Sequence, residues 1–413
     1  MKFLHAADIH LDSALSGLRR AGAIPAHVTR DCTRRALANV IDLAIAEDVA
    51  FVLIAGDLYD ADWKDFSTGL HFAGEMRRLG RPCFVVRGNH DADSVITRNL
   101  EPPPNVRVFS ALKAETATLS ELGVAIHGRS FPHRKVPGDL LPSYPAPVAG
   151  LLNIGVLHTS AEDPGEHATY APCTVEALAA KGYDYWALGH IHQCRVLHER
   201  PFVVFPGNIQ GRHPNETGAK GVMLVEARDG RIVGQPEFRA TDVLRWAQVA
   251  VDAAGADSMA DLAARIRLGL GAAQQSAEGR PLIVRLTLTG ATDRHAALLA
   301  DPDALDAECR NAAAAISGDL HIERVQLQTR MPAARAAAEL EAVAQLEAPF
   351  LAGLDDPEIQ AQLLEDFRTL AGQTPRVPGR AAPVLPTTPE ELRALAPEAW
   401  QLVAQALAGD AGP

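Results

Sequence analysis

Five times over, this chain sets a short apolar run directly before a group of polar residues, and that repetition narrows its possible folds sharply. Lys2–Ala6, Val49–Ala55, Pro82–Val86, Asn153–His158 and Tyr185–Leu188 have the length of strands and are too short for stable helices. Their lack of strict alternation predicts strands buried on both faces, as in a parallel sheet. Asp8-Ile9-His10 follows the first run, Gly56-Asp57 the second and Gly88-Asn89-His90-Asp91 the third. His158 closes the fourth, and Gly189-His190-Ile191-His192 follows the fifth. Side chains two apart on extended backbone point the same way, so Asp8 converges with His10 and His190 with His192. Gly56 and Gly88 let the chain turn so that Asp57 and Asn89 project beyond the sheet. Singly, each motif is an ordinary turn. Together they are expected to meet at one rim, because open α/β sheets gather ligands at the carboxyl ends of their strands.

Helices are predicted over Thr29–Asp48, where Ala36, Val40, Leu43 and Ala44 fall at helical spacing, and over Lys64–Leu79. Val106–Phe109, Val124–Gly128, Phe202–Phe205, Gly221–Glu226 and Arg231–Phe238 supply further strands. Residues 1–240 therefore read as an α/β domain layered helix–sheet–sheet–helix. Residues 241–330 read as a small α+β domain, with an alternating strand at Leu282–Thr289 between helices at Ser258–Leu270 and Asp303–Ile316. The tail, 331–413, reads as helical at Ala334–Ala352 and Pro357–Ala371, followed by a proline-rich linker over 372–389. Thr388-Pro389-Glu390-Glu391 is a capping box that opens an amphipathic segment over 389–408. Pro397 is expected to kink or divide it. Its apolar stripe, which includes Leu392, Ala396, Trp400 and Val403, must dock on the chain's own core or on a partner.

The converging ligands are carboxylate, amide and imidazole without thiolate. That set favours manganese, iron or zinc over an all-oxygen magnesium or calcium cage. Two such ions can seat a hydroxide between them and clamp a phosphate for in-line attack, with Asp57 placed to bridge them. The five cysteines show no CxxC pair, so neither a disulfide framework nor a zinc knuckle is expected. A net charge of −12 argues against a broad basic face for duplex DNA and says nothing about catalysis. No run approaches the roughly 18 apolar residues of a membrane span. A soluble, cytoplasmic protein is expected.

In this order, Asp8-x-His10, Gly56-Asp57, Gly88-Asn89-His90-Asp91, His158 and Gly189-His190-x-His192 resemble the calcineurin-like metallophosphoesterases. The opening His5-Ala6-Ala7-Asp8-Ile9-His10-Leu11-Asp12 is similar to the SbcD-type DNA-repair exonucleases. Phe205-Pro206-Gly207-Asn208-Ile209-Gln210-Gly211-Arg212-His213 is similar to their YhaO-like relatives. The resemblance implies one metal held by Asp8, His10, Asp57 and His192, and a second by Asp57, Asn89, His158 and His190, with manganese as the usual ion. It places His90 beside the scissile phosphate, with Asp91 orienting it, and Arg129 and Arg212 near phosphates. SbcD-type nucleases commonly carry histidine where Asp60 stands. Asp60 thus either alters a substrate contact or orients a ligand by a hydrogen bond. The family also implies DNA as substrate and an SMC-type ATPase partner (SbcC- or YhaN-like) gripped by the C-terminal tail, and it leaves room for a homodimer. A small-nucleotide phosphodiesterase and a non-catalytic scaffold are the alternatives. Protein phosphatases are disfavoured, because they carry Arg-Gly where this chain has Ala61-Asp62.

Overall fold

The computed structural model describes residues 1–15, 24–60, 65–93, 101–161, 170–256, 258–373 and 385–408. Ala61, Asp62, Lys64 and most of the proline-rich stretch lie outside them. The described chain divides into two compact units: Met1–Val251 with Ala260–Leu288 and Pro302–Leu327, and Asp252–Met259 with Thr289–Asp301 and Gln328–Pro413.

The first unit is built on two six-stranded sheets. One contains β1 (Lys2–Ala6), β2 (Phe51–Ala55), β3 (Cys83–Val86), β4 (Val106–Val108), β11 (Gly221–Arg228) and β12 (Arg231–Ala240), in the order β12-β11-β1-β2-β3-β4. The other contains β5 (Glu115–Leu119), β6 (Val124–Gly128), β7 (Leu152–His158), β8 (Tyr185–Gly189), β9 (Arg195–Glu199) and β10 (Phe202–Phe205), in the order β5-β6-β7-β8-β10-β9. β1 to β4 run parallel, as do β6, β7, β8 and β10, so the strands that precede the polar motifs point their carboxyl ends the same way within each sheet.

The two sheets face each other across Phe3, Phe51, Leu53, Phe84, Phe109, Ile126, Ile154, Val156 and Tyr185. Phe3 stacks on Phe51 at 5.0 Å and meets the edge of Tyr185 at 5.5 Å. Each fully buried side chain of this size contributes roughly 2–3 kcal/mol. On the outer face of the first sheet, Leu4, Val52 and Ile54 pack against Ala36, Leu37, Val40 and Ile41 of helix Cys32–Ala46 and Phe72 and Met76 of helix Phe66–Leu79. The outer face of the second sheet is covered by the short helix Val175–Ala180 and by irregular chain bearing Leu140, Leu141 and Tyr144 over Trp186. The fourth layer is thus only partly helical.

A three-stranded sheet, β13 (Arg245–Asp252), β14 (Leu282–Ala291) and β15 (Leu320–Arg330), follows, with helices Met259–Ser276 and Pro302–Ile316. In the second unit, helices Ala333–Gln345, Glu347–Gly353, Pro357–Gln373 and Pro389–Ala408 form a cluster. The last helix buries Leu392, Ala396 and Trp400, whose ring lies 5.3 Å from that of Phe350. It runs through Pro397 without dividing. The proline removes one backbone hydrogen bond, and packing on both sides of it, at Ala396 and Trp400, holds the turns together. Leu402 and Leu407 stay exposed.

Candidate metal centre

Pairing continues past the ends of β1 and β2, which aims the first two motifs. Asp8 N–H donates to the Gly56 carbonyl (3.0 Å) and His10 N–H to that of Asp57 (2.9 Å). Asp8, His10 and Asp57 each adopt left-handed backbone, with φ of 51°, 44° and 51°. Contacts across the sandwich bring the second sheet's motifs to the same place. His190 N–H donates to both Asp8 carboxylate oxygens (3.1 and 3.0 Å), and His158 Nδ1 donates to the Ala55 carbonyl (3.0 Å). Gly189 is required here: a Cβ on it would stand 1.9 Å from the Ala55 oxygen.

Three of the proposed ligand imidazoles have their Nδ1 on an acceptor, which sets their tautomer. His10 Nδ1 donates to Asp60 Oδ1 (2.9 Å), His192 Nδ1 to Glu216 Oε1 (2.7 Å) and His158 Nδ1 to Ala55. The Nε2 atoms of the same rings face side-chain oxygens. His158 Nε2 is 3.0 Å from Asn89 Oδ1 and 3.5 Å from Asp57 Oδ2; His10 Nε2 is 3.8 Å from Asp57 Oδ2; His192 Nε2 is 4.0 Å from Asp8 Oδ1. His10 Nε2 is buried without a hydrogen-bond partner. Ligand atoms of Asp8, His10 and His192 lie within 4.8 Å of one another, and so do those of Asp8, Asp57 and His158. Imidazole nitrogens converging on buried carboxylates fit divalent cations.

Electrostatics agree with that occupant. Burial, and then the charge of Asp57, pushes Asp8 well above the usual carboxylate range. Burial pushes Asp57 up to about 6, while burial holds His158 down at about 3 and His10 well below its ordinary value. Without a cation the carboxylates resist ionising side by side; the imidazoles stay neutral, ready to ligate.

His90 differs in being partly exposed, at 31% of its side chain, and its Nδ1 lies 2.9 Å from Asp60 Oδ1. That oxygen therefore serves His10 and His90 together. Burial would raise Asp60, yet the hydrogen bonds from these two rings and the nearby Arg212 charge hold it well below the usual range. Burial opposes protonation of His90, but the Asp60 hydrogen bond and the charges of Asp57 and Asp60 raise it overall.

Two sequence expectations find different geometry. The carboxylate behind His90 is Asp60, whereas Asp91 accepts from the backbone N–H groups of Leu58, Tyr59 and Gly88. Asp91 ties the loop after β2 to the loop after β3 instead of orienting an imidazole, and burial with the charge of Asp57 pushes it up to about 7. Arg212 is drawn among its own chain's polar groups: Nη1 donates to Ser13 Oγ (2.8 Å) and lies 3.6 Å from Asp60, and Nη2 lies 3.8 Å from Glu216. Arg129 follows β6 at the same rim, its Nε buried without a hydrogen-bond partner. The His190 ring sits 5.2 Å from that of His158 and 5.6 Å from that of Tyr170. Sequence reasoning did not find Glu216 or Lys220, whose Nζ donates to the His192 carbonyl (2.7 Å). Polar residues in a loop carry no periodic signal that would mark them.

Two family models match the chain. The calcineurin-like phosphoesterase family model matches residues 1–194, and the middle domain of metallophosphoesterase YhaO matches residues 246–330. An uncharacterized metallophosphoesterase YhaO of Bacillus subtilis is 35% identical over 298 residues, 70% of this chain and 72% of its own. A subunit of the nuclease SbcCD of Rhodobacter capsulatus is 32% identical over 131 residues, 31% of this chain and 27% of its own. A solved dimetal phosphatase from Danio rerio covers 58% of this chain and 96% of its own at 12% identity and TM-score 0.37. The chain is a phosphoesterase of the calcineurin-like metallophosphoesterase family, of the YhaO type.

Proposed function

We propose that this phosphoesterase is a DNA nuclease that hydrolyses phosphodiester bonds with manganese. The observation that supports a nucleic-acid substrate is the likeness of 131 of its residues to a relative named as part of a nuclease. Asp8, His10, Asp57 and His192 would hold one ion, and Asp57, Asn89, His158 and His190 the other. When bound, such ions activate water and neutralise the phosphodiester's charge. The chain's own groups do the rest. His90, with Nδ1 fixed by Asp60, meets the substrate with Nε2 and protonates the leaving oxygen. Asp60 holds that ring and His10 in fixed relation, and Asp91 sets the spacing of the loops carrying Asp57 and Asn89. Arg129 and Arg212 place positive charge at the rim, where phosphates of a bound strand would lie.

The substrate test compares manganese-dependent turnover of linear single- and double-stranded DNA with that of a cyclic dinucleotide. Turnover of DNA alone supports the nuclease reading. Turnover of the dinucleotide alone would replace it with a small-nucleotide phosphodiesterase. Elemental analysis of the purified protein identifies the ion.

An SMC-type ATPase of the SbcC or YhaN kind, gripped by the C-terminal helices, is the proposed partner. The name of the Rhodobacter relative, which makes it one part of an SbcCD nuclease, supports this, and the exposed Leu402 and Leu407 give the last helix an apolar face. Co-purification of the full chain with such an ATPase, lost on deleting 373–413, is the expected result.

A further inference from the structure

His192 is gripped at two points by one loop. Its Nδ1 donates to Glu216 Oε1, and its backbone carbonyl accepts from Lys220 Nζ, each at 2.7 Å. Glu216 is itself fixed, because its Oε2 accepts from the backbone N–H of Arg212 (2.6 Å) and from Asn208 Nδ2 (3.0 Å). Asn208 is bridged to Ala7, the residue before Asp8. Gly211 lets the loop close this tightly, since a Cβ there would stand 2.8 Å from the Glu216 carbonyl. Lys220 is 7% exposed, so its ammonium is committed to the interior. A carboxylate in this place would repel a phosphate, and substrate binding does not explain it.

We propose that Glu216 is a positioning residue for His192, with Lys220 holding the main chain, so that these two side chains serve the metal centre and not the substrate. By accepting from Nδ1, Glu216 directs the Nε2 lone pair toward Asp8 and makes the imidazole a stronger ligand. Asp60 does the same for His10, whereas His158 is backed by the neutral carbonyl of Ala55. The half of the centre formed by Asp8, His10 and His192 thus has two backing carboxylates. The inference rests on the dinuclear reading of the site and is independent of the nucleic-acid substrate.

Calorimetric titration of the full chain with Mn²⁺ tests it. In Glu216→Gln, one of two equivalents should weaken by about 10–100-fold while the other is unchanged. Glu216→Asp should recover part of the loss, and Glu216→Gln should cost nothing further in a His192→Ala background. Should Glu216→Gln not fold, Lys220→Met is expected to weaken the same equivalent. Equal weakening of both equivalents, no weakening of either, or full additivity with His192→Ala would overturn the proposal. Wild-type protein that takes up no Mn²⁺ would remove the dinuclear reading as well. Two wild-type equivalents with an unaltered Glu216→Gln titration would remove this inference alone.

Discussion

His90 differs from the imidazoles around it in what its ring faces: Nδ1 meets Asp60, and 31% of the side chain remains open to solvent. Replacing it with asparagine should therefore lower kcat by about 10²–10⁴-fold on a phosphodiester, with metal content unchanged. Loss of bound metal in that variant would reassign His90 as a ligand. Asp60→Asn should lower both kcat and manganese affinity, because one amide cannot replace an oxygen shared by two rings. The proposed ligands were legible as candidates, since strand ends and same-side spacing single out Asp8, His10, Asp57, Asn89, His158, His190 and His192. Their supports were not. Asp91 stands next to His90 in sequence yet accepts from backbone in two loops, and Glu216 reaches His192 from 24 residues away.

At the scale of elements, β1, β6 and β10 lie where the apolar runs put them, as does helix Pro389–Ala408. Sequence reasoning missed β5, β9, β13 and β15. All four are sheet-edge strands, and β9 (Arg195–Glu199) mixes charged with partly exposed residues, so it carries no two-sided apolar signal. The sheets are tied through His5 on β1, whose ring nitrogens meet the Tyr185 hydroxyl and the Leu188 carbonyl, each at 3.0 Å. Burial holds His5 at about 3, against an ordinary 6.5. The unfolded chain therefore takes up this proton first as pH falls. The stability tied to neutral His5 is complete above about 6.5 and is lost toward 3. His5→Gln should remove about one proton from the acid limb of stability against pH, measured by denaturant unfolding. An unchanged limb would mean that His5 is not buried neutral. Gly189→Ala should destabilise by more than about 3 kcal/mol, because its methyl would overlap the Ala55 carbonyl.

For the whole molecule, all the proposed ligands lie in the first unit and the last helix lies in the second. Deleting 373–413 should thus spare hydrolysis of a small phosphodiester while stripping Leu392, Ala396 and Trp400 from the helical cluster. Loss of that hydrolysis would argue against modular organisation. Among the described residues, no helix is long and apolar enough to cross a membrane.

The left-handed backbone at Asp8, His10 and Asp57 carries one more consequence. Each such residue costs on the order of 1 kcal/mol relative to glycine, and two of the three also bury a carboxylate that resists ionisation. The candidate metal rim is therefore held in backbone and charge states that cost the fold. Asp57→Gly should melt at a higher temperature than the parent in the presence of a chelator, although it can no longer hydrolyse anything. Bound cations would relieve that tension.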